Sequence, residues 1–189
     1  MIQWFRGISP HQKRITLPTL LTLIRMVSIP FLAFAILQSR WAMALSLLFF
    51  AAVTDMLDGW LARLWREQTV LGALLDPVAD KLLTITSFAA SSYMGLVPVW
   101  FFGVSCIKEV LLTLSTSGWY AVRGGTVIHA NWLGKTAMAG QVVLLSWCLL
   151  GSWLQVLPTR IELPFFVMVS GLMVASLVWY GYQAIARKT

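Results

Sequence analysis

The chain has 189 residues, of which 59% are hydrophobic and 11% charged, with a formal net charge of +7 and a mean hydropathy of +0.79. That composition excludes an ordinary soluble core and predicts an all-α integral membrane protein. The positive charge does not point to nucleic acid: the Lys and Arg residues sit at the ends of apolar runs rather than in one patch, as suits an anionic membrane surface or anionic substrates.

Residues 1–14 mix Ile2, Trp4, Phe5 and Ile8 with Arg6, Lys13 and Arg14, a pattern for a short interfacial helix or a frayed basic tail. Leu17 to Gln38 is long enough to span a bilayer. Arg25 interrupts any signal-type apolar core, so this segment reads as a retained first helix. Trp41 to about Trp65 is the second expected span and Val70 to about Tyr93 the third, with Pro77 inside it as an expected kink. Gly95-Leu96-Val97-Pro98 is a short uncharged turn. The fourth span runs from about Val99 to Ser117 and buries Lys108 and Glu109. Residues 118–133 form the longest expected connection, with Gly124, Gly125 and the lone His129. Lys135 opens a fifth span ending near Leu157. Pro158, Arg160 and Glu162 form a short loop, and Pro164 begins a sixth span ending near Ile185.

No internal repeat or low-complexity tract interrupts this series. Residues 1–189 therefore read as a single membrane domain, with 1–14 as a juxtamembrane segment and 17–185 as a bundle of six transmembrane helices. Cys106 and Cys148 lie in apolar runs and read as small buried hydrophobes. Arg6, Lys13, Arg14, Arg63, Arg66, Arg123, Lys135, Arg187 and Lys188 fall on one side of the expected bundle, and Arg40 and Arg160 on the other. The positive-inside rule then puts both termini and the 66–68 turn on the cytoplasmic side of the cell membrane. Trp41, Trp100, Trp119, Trp132 and Trp153 lie near span ends, as interfacial aromatics do.

All four aspartates of the chain lie between positions 55 and 80, in apolar surroundings where a carboxylate is costly and marks function by default. Asp55, Asp58, Gly59, Ala62 and Arg63 are spaced to share one helix face, and Asp76 and Asp80 share another, one turn from Gly72. A turn at Arg66, Glu67 and Gln68 would bring Asp58 level with Asp76 and Asp55 level with Asp80. The expected result is a four-carboxylate cage roughly 12 Å in from the turn. Gly59, Ala62, Gly72 and Ala73 would let the backbones approach and leave room for a ligand.

Four carboxylates this close require cations. An all-oxygen set without His or Cys suits Mg²⁺, Mn²⁺ or Ca²⁺ rather than Zn²⁺, and magnesium commonly bridges carboxylates to substrate phosphates. The alternative is that Arg63, Arg25, Lys81 and Lys108 pair with the aspartates as structural ion pairs, which explains neither the spacing nor the small residues. Arg25, in turn, would either snorkel to the surface or serve the site.

The pattern Asp55-x2-Asp58-Gly59-x2-Ala62-Arg63-x8-Gly72-x3-Asp76-x3-Asp80 resembles the signature of the CDP-alcohol phosphotransferases. The resemblance extends to Leu17-Pro18-Thr19-Leu20-Leu21-Thr22-Leu23-Ile24-Arg25 and to Leu75-Asp76-Pro77-Val78-Ala79-Asp80-Lys81, both similar to the phosphatidylglycerophosphate synthases and cardiolipin synthases of that family. It thins out after Val97.

The resemblance implies CDP-diacylglycerol as donor, CMP as leaving group, Mg²⁺ or Mn²⁺ (two ions) as cofactor and a homodimer in the membrane. It makes Asp55, Asp58, Asp76 and Asp80 metal ligands, with Asp80 also the general base. Gly59, Ala62 and Gly72 line the donor site, where Arg63 acts electrostatically and Thr22 and Arg25 lie close to the pyrophosphate. Glycerol 3-phosphate as acceptor needs a basic pocket, for which Lys108, Arg123 and Lys135 are the candidates. The similar synthases have Arg-Glu where this chain has Lys108-Glu109, and Gly-Lys-x-Lys where it has Gly134-Lys135-Thr136-Ala137. An arginine usual a turn or two after Lys108 is replaced by Ser115, Thr116 and Ser117. This loss of charge keeps phosphatidylglycerol, the cardiolipin synthase acceptor, as an alternative. A metal or proton transporter using the carboxylates is a third reading, against which stands the lack of a two-fold repeat.

Overall fold

The computed structural model describes the backbone of residues 17–65, 70–123, 132–155 and 159–186, and within them the side chains of 20–57, 75–113, 132–155 and 163–182. The described residues form six helices: α1 (Leu17–Leu37), α2 (Trp41–Trp65), α3 (Val70–Tyr93), α4 (Val99–Arg123), α5 (Trp132–Leu154) and α6 (Thr159–Ala186). The 1–14 segment, the 66–68 turn and the Gly124–His129 stretch lie outside the described residues.

Three of these helices carry stretches long and apolar enough to cross a membrane: Leu20–Leu37, Trp132–Leu154 and Leu163–Tyr182. Trp41–Leu57 is a shorter apolar stretch. The distribution of polarity agrees with a lipid solvent. Phe49, Val27, Val99 and Val178 are exposed, while Thr22, Arg25, Ser105, Lys108 and Gln141 are buried. In a bilayer, polar groups turn inward to find partners and apolar groups face the acyl chains.

The chain divides into two compact units, Met1–Ala90 and Ser91–Thr189. In the first, α1 packs along α2. The buried stripe of α1 is Thr22, Arg25, Ile29, Leu32 and Ile36, at steps of three and four, and that of α2 is Ala44, Leu48, Ala51 and Thr54. The polar and apolar halves of each stripe are separate: the lower part of α1 is apolar against Ala44 and Leu48, and its upper part brings Thr22 and Arg25 to the level of Thr54 and Asp55. Pro30 and Pro77 lie inside α1 and α3 respectively, and both helices continue through them.

The α1–α2 connection is tight because α1 ends in a Schellman motif. Ser39 adopts a left-handed φ of 54°, its N–H bonds to the Ile36 carbonyl at 3.0 Å, and the Arg40 N–H bonds to that of Ala35 at 2.9 Å. The end of α3 repeats the device with Gly95 at φ 74°. There Gly95 N–H bonds to Ser92 and Leu96 N–H to Ser91, and the Pro98 carbonyl then accepts from Phe101 and Phe102 to start α4.

In the second unit α6 packs against both α4 and α5. Phe101 meets Phe166 edge-on with ring centroids 5.0 Å apart. The α5–α6 approach is close at Gly134, where a Cβ would stand 3.1 Å from the Tyr180 hydroxyl, and at Gly140, where it would stand 3.4 Å from Val169. Cys106 and Cys148 are not joined by a disulfide. Trp100, Trp132 and Trp153 are exposed at helix ends.

Three expected boundaries differ. Helix α4 runs to Arg123 rather than Ser117, through Gly118, because one glycine weakens a helix without stopping it. Helix α5 begins at Trp132, three residues before Lys135. Helix α6 begins at Thr159, so Pro164 lies inside it instead of opening it. Pro164 is the sixth residue of α6, so its ring removes one backbone bond, that toward residue 160, and the helix continues past it.

Candidate active site

The site grows from the i, i+3 spacing of Thr22 and Arg25 on α1, which sets both side chains on its buried face. Arg25 is fully buried, so it does not snorkel to the surface. Its guanidinium donates through Nη1 to Asp55 Oδ1 on α2 at 2.5 Å, and the same nitrogen lies 3.8 Å from Asp80 Oδ1 on α3. Thr22 Oγ1 donates to Asp76 Oδ1 at 2.6 Å. One helix therefore reaches three of the four aspartates, and two of these meet at a single nitrogen.

Burial is asymmetric across the cluster. The Arg25 side chain has no exposure, whereas Asp55 retains 51% and Asp80 37%. Their carboxylates thus remain open on the side away from α1. Backbone geometry supports the arrangement: Ser28 Oγ donates to the Arg25 carbonyl, and Thr54 Oγ1 to the Phe50 and Ala51 carbonyls, so neither hydroxyl competes for the carboxylates.

Asp58, Gly59, Ala62 and Arg63 lie on the helical backbone of α2, and Gly72 on that of α3. Their side chains are outside the described residues. Among the described residues no three His, Cys, Asp or Glu groups converge as a ready-made ion site. The donor chemistry of Asp55, Asp76 and Asp80 is nonetheless oxygen-only, which fits a hard dication. Of the structural pairs considered from sequence, Arg25 does bind the aspartates.

Lys108 does not. It is fully buried in the second unit, where its Nζ donates to Gln141 Oε1 at 2.7 Å and lies 3.1 Å from Glu109 Oε1. Gln141 Nε2 donates in turn to Ser105 Oγ at 2.5 Å. Lys135 is exposed near the start of α5, 6.0 Å from the Trp132 ring centroid. Lys135 and Gln141 are six residues apart, about 9 Å along the axis and on different faces, so the structure does not bring the Lys108 and Lys135 ammonium groups together. Arg123 ends α4, with its side chain outside the described residues. Gln141 and Ser105 were missed from sequence. The available signal was a lone amide in an apolar helix, and a serine three residues before a buried lysine.

The sequence model of the family described as CDP-alcohol phosphatidyltransferase matches residues 15–180. The chain is 38% identical over 138 residues to a CDP-diacylglycerol--glycerol-3-phosphate 3-phosphatidyltransferase of Salmonella choleraesuis, covering 70% of this chain and 76% of the relative. The protein of the same name in Escherichia coli K12 is 36% identical over the same extent. A Drosophila melanogaster protein named "Probable cardiolipin synthase (CMP-forming)" is 40% identical over 98 residues, which are 51% of this chain and 30% of the relative's length.

Proposed function

The chain belongs to the CDP-alcohol phosphatidyltransferase family, and from that premise we propose that it transfers a phosphatidyl group from CDP-diacylglycerol to glycerol 3-phosphate, releasing CMP. The observation that carries this reading is the similarity to the bacterial 3-phosphatidyltransferases over 76% of their length, joined to the contacts that Thr22 and Arg25 of α1 make with Asp76, Asp55 and Asp80.

Asp55, Asp58, Asp76 and Asp80 would hold Mg²⁺ or Mn²⁺, two ions in the full site. Bound there, such ions would offset the charge of the donor pyrophosphate and stabilise the departing CMP phosphate. Asp80 accepts the proton of the acceptor hydroxyl as that oxygen attacks the lipid-linked phosphorus. Thr22 fixes Asp76 in one orientation. Gly59, Ala62 and Gly72 leave space for the nucleotide, and Arg63 contributes positive charge. All six helices sit in the cell membrane and the aspartates face the cytoplasm, in keeping with the loop charges; the homodimer rests on the family resemblance alone.

Phosphatidylglycerol is the second acceptor to consider. It is favoured by the likeness to the Drosophila protein and by Lys108, whose charge is already engaged by Glu109 and Gln141. The deciding experiment gives the purified protein CDP-diacylglycerol with either glycerol 3-phosphate or phosphatidylglycerol and measures CMP. Release only with glycerol 3-phosphate is the expected result. Release only with phosphatidylglycerol would reassign the acceptor, and release with neither would reject the transferase reading.

A further inference from the structure

Thr22 and Arg25 hold the aspartates by different chemistry. Thr22 offers Asp76 a neutral hydroxyl, which orients the carboxylate and leaves its charge uncompensated. Arg25 offers Asp55 and Asp80 a full positive charge from one nitrogen, with its side chain sealed from the surroundings. Two carboxylates gathered around one point repel unless a cation lies near them. Arg25 supplies that cation from within the chain. Asp55 and Asp80 are also ligands in the proposed function, on which this inference rests, so an incoming dication needs the oxygens that Arg25 already holds.

We propose that Arg25 is a resident counter-cation of Asp55 and Asp80: it holds the two carboxylates together before a divalent cation binds, and it competes with that cation for them. Two consequences follow from charge alone. Without Arg25 the two carboxylates repel more strongly, so added cations stabilise the variant more than they stabilise the wild type. The same loss removes both a competitor and a repelling positive charge, so the cation binds more tightly.

The test uses the full chain in detergent, with MnCl₂ alone as probe, and reads the thermal midpoint as Mn²⁺ is titrated after EDTA treatment. Arg25→Gln is expected to melt a few degrees below the wild type in EDTA, because it removes the positive charge shared by two partly exposed carboxylates. Saturating Mn²⁺ should close most of that gap, with half-saturation at about tenfold lower concentration than in the wild type. Arg25→Lys keeps the charge and should stay close to the wild type in both respects. A gap of equal size with and without Mn²⁺, with unchanged half-saturation, would mean that Arg25 only packs, and would overturn the proposal. So would Arg25→Lys needing about tenfold less Mn²⁺ than the wild type, an outcome that remains readable if Arg25→Gln cannot be recovered. CMP release by the wild type, measured in parallel, separates the two levels. Mn²⁺-dependent release with failed melting predictions rejects the counter-cation alone, whereas no effect of Mn²⁺ on either melting or release rejects it together with the metal-dependent reading.

Discussion

Thr22 and Asp76 stand 54 positions apart and share a 2.6 Å hydrogen bond in which the hydroxyl donates to the carboxylate. The bond joins α1 to α3 at the second half of the motif and leaves Asp76 one free orientation fewer. A hydrogen bond to a charged group contributes about 1.5–3 kcal/mol. Thr22→Val, which keeps the shape and removes the donor, is therefore expected to lower CMP release by about tenfold or more. Thr22→Ser, which keeps the donor, should remain near the wild type. Initial rates at saturating donor check this, and equal rates for Thr22→Val and the wild type would show that Asp76 needs no orienting partner.

Asp80 and Asp58 should fail differently. Asp80→Asn keeps size and one oxygen but loses basicity, and a general base contributes about a hundredfold or more to turnover. CDP-diacylglycerol binding should fall much less. Asp58→Asn should weaken metal and donor binding together. Donor affinity and single-turnover transfer, measured side by side, distinguish them. If Asp80→Asn loses donor binding as fully as Asp58→Asn, Asp80 acts only as a ligand.

Removal of divalent cations should stop the reaction. The motif offers oxygen donors alone, so excess EDTA is expected to abolish CMP release and Mg²⁺ or Mn²⁺ to restore it, with Zn²⁺ a poor substitute. Full turnover in EDTA would reject the metal.

How much of this was legible in the sequence depended on which signal each residue carries. The aspartates stood out because a carboxylate in an apolar helix is costly and has few innocent explanations. The first three helices were also clear, since the Gln38–Arg40 and Gly95–Pro98 breaks separate long apolar runs. Arg25 was visible as an oddity, but its partners depend on how α1 packs, which no local pattern encodes. Gln141 and Ser105 escaped because single neutral polar residues are common in membrane helices, and only their convergence on Lys108 gives them meaning. The late boundaries were misjudged for a related reason. Gly118 and Pro164 are breakers by propensity, and both are carried by helices that continue past them.

The Lys108 cluster should behave as a stability element. Lys108→Met leaves Glu109, itself only 7% exposed, without its 3.1 Å partner. Breaking a buried pair from one side costs about 3–5 kcal/mol. Lys108→Met is expected to lower the thermal midpoint by roughly 10 °C, and Lys108→Met with Glu109→Gln by clearly less. If Lys108 also serves the acceptor, KM for glycerol 3-phosphate will rise in Lys108→Met while KM for the donor does not. Equal melting of the single and double variants would show that the two charges are not coupled.

Gly134 tests the α5–α6 approach. A methyl group there meets the Tyr180 hydroxyl at 3.1 Å and its ring at 3.3 Å. Overpacking of this kind costs about 1–3 kcal/mol, against a helix-propensity gain of about 1 kcal/mol on replacing the glycine, so Gly134→Ala should melt no higher than the wild type and at most a few degrees below it. Tyr180→Phe removes the nearest atom and should recover part of the loss in the double variant. A double-mutant cycle isolates that term, and zero coupling would place the strain elsewhere.

The tight Ser39 turn bears on how the protein enters the membrane. Arg25 is made 30 positions before its partner Asp55, and an arginine at the centre of an isolated membrane helix costs about 2.5–3.5 kcal/mol on insertion scales. Until the second helix leaves the ribosome, that charge has no compensation within the nascent chain. The three-residue connection then lets the α1–α2 hairpin close at once and carry Arg25 and Asp55 in as a neutral pair. The expected unit of insertion is the hairpin, in which the Arg25–Asp55 pair lowers the cost of carrying an arginine on α1 into a bilayer.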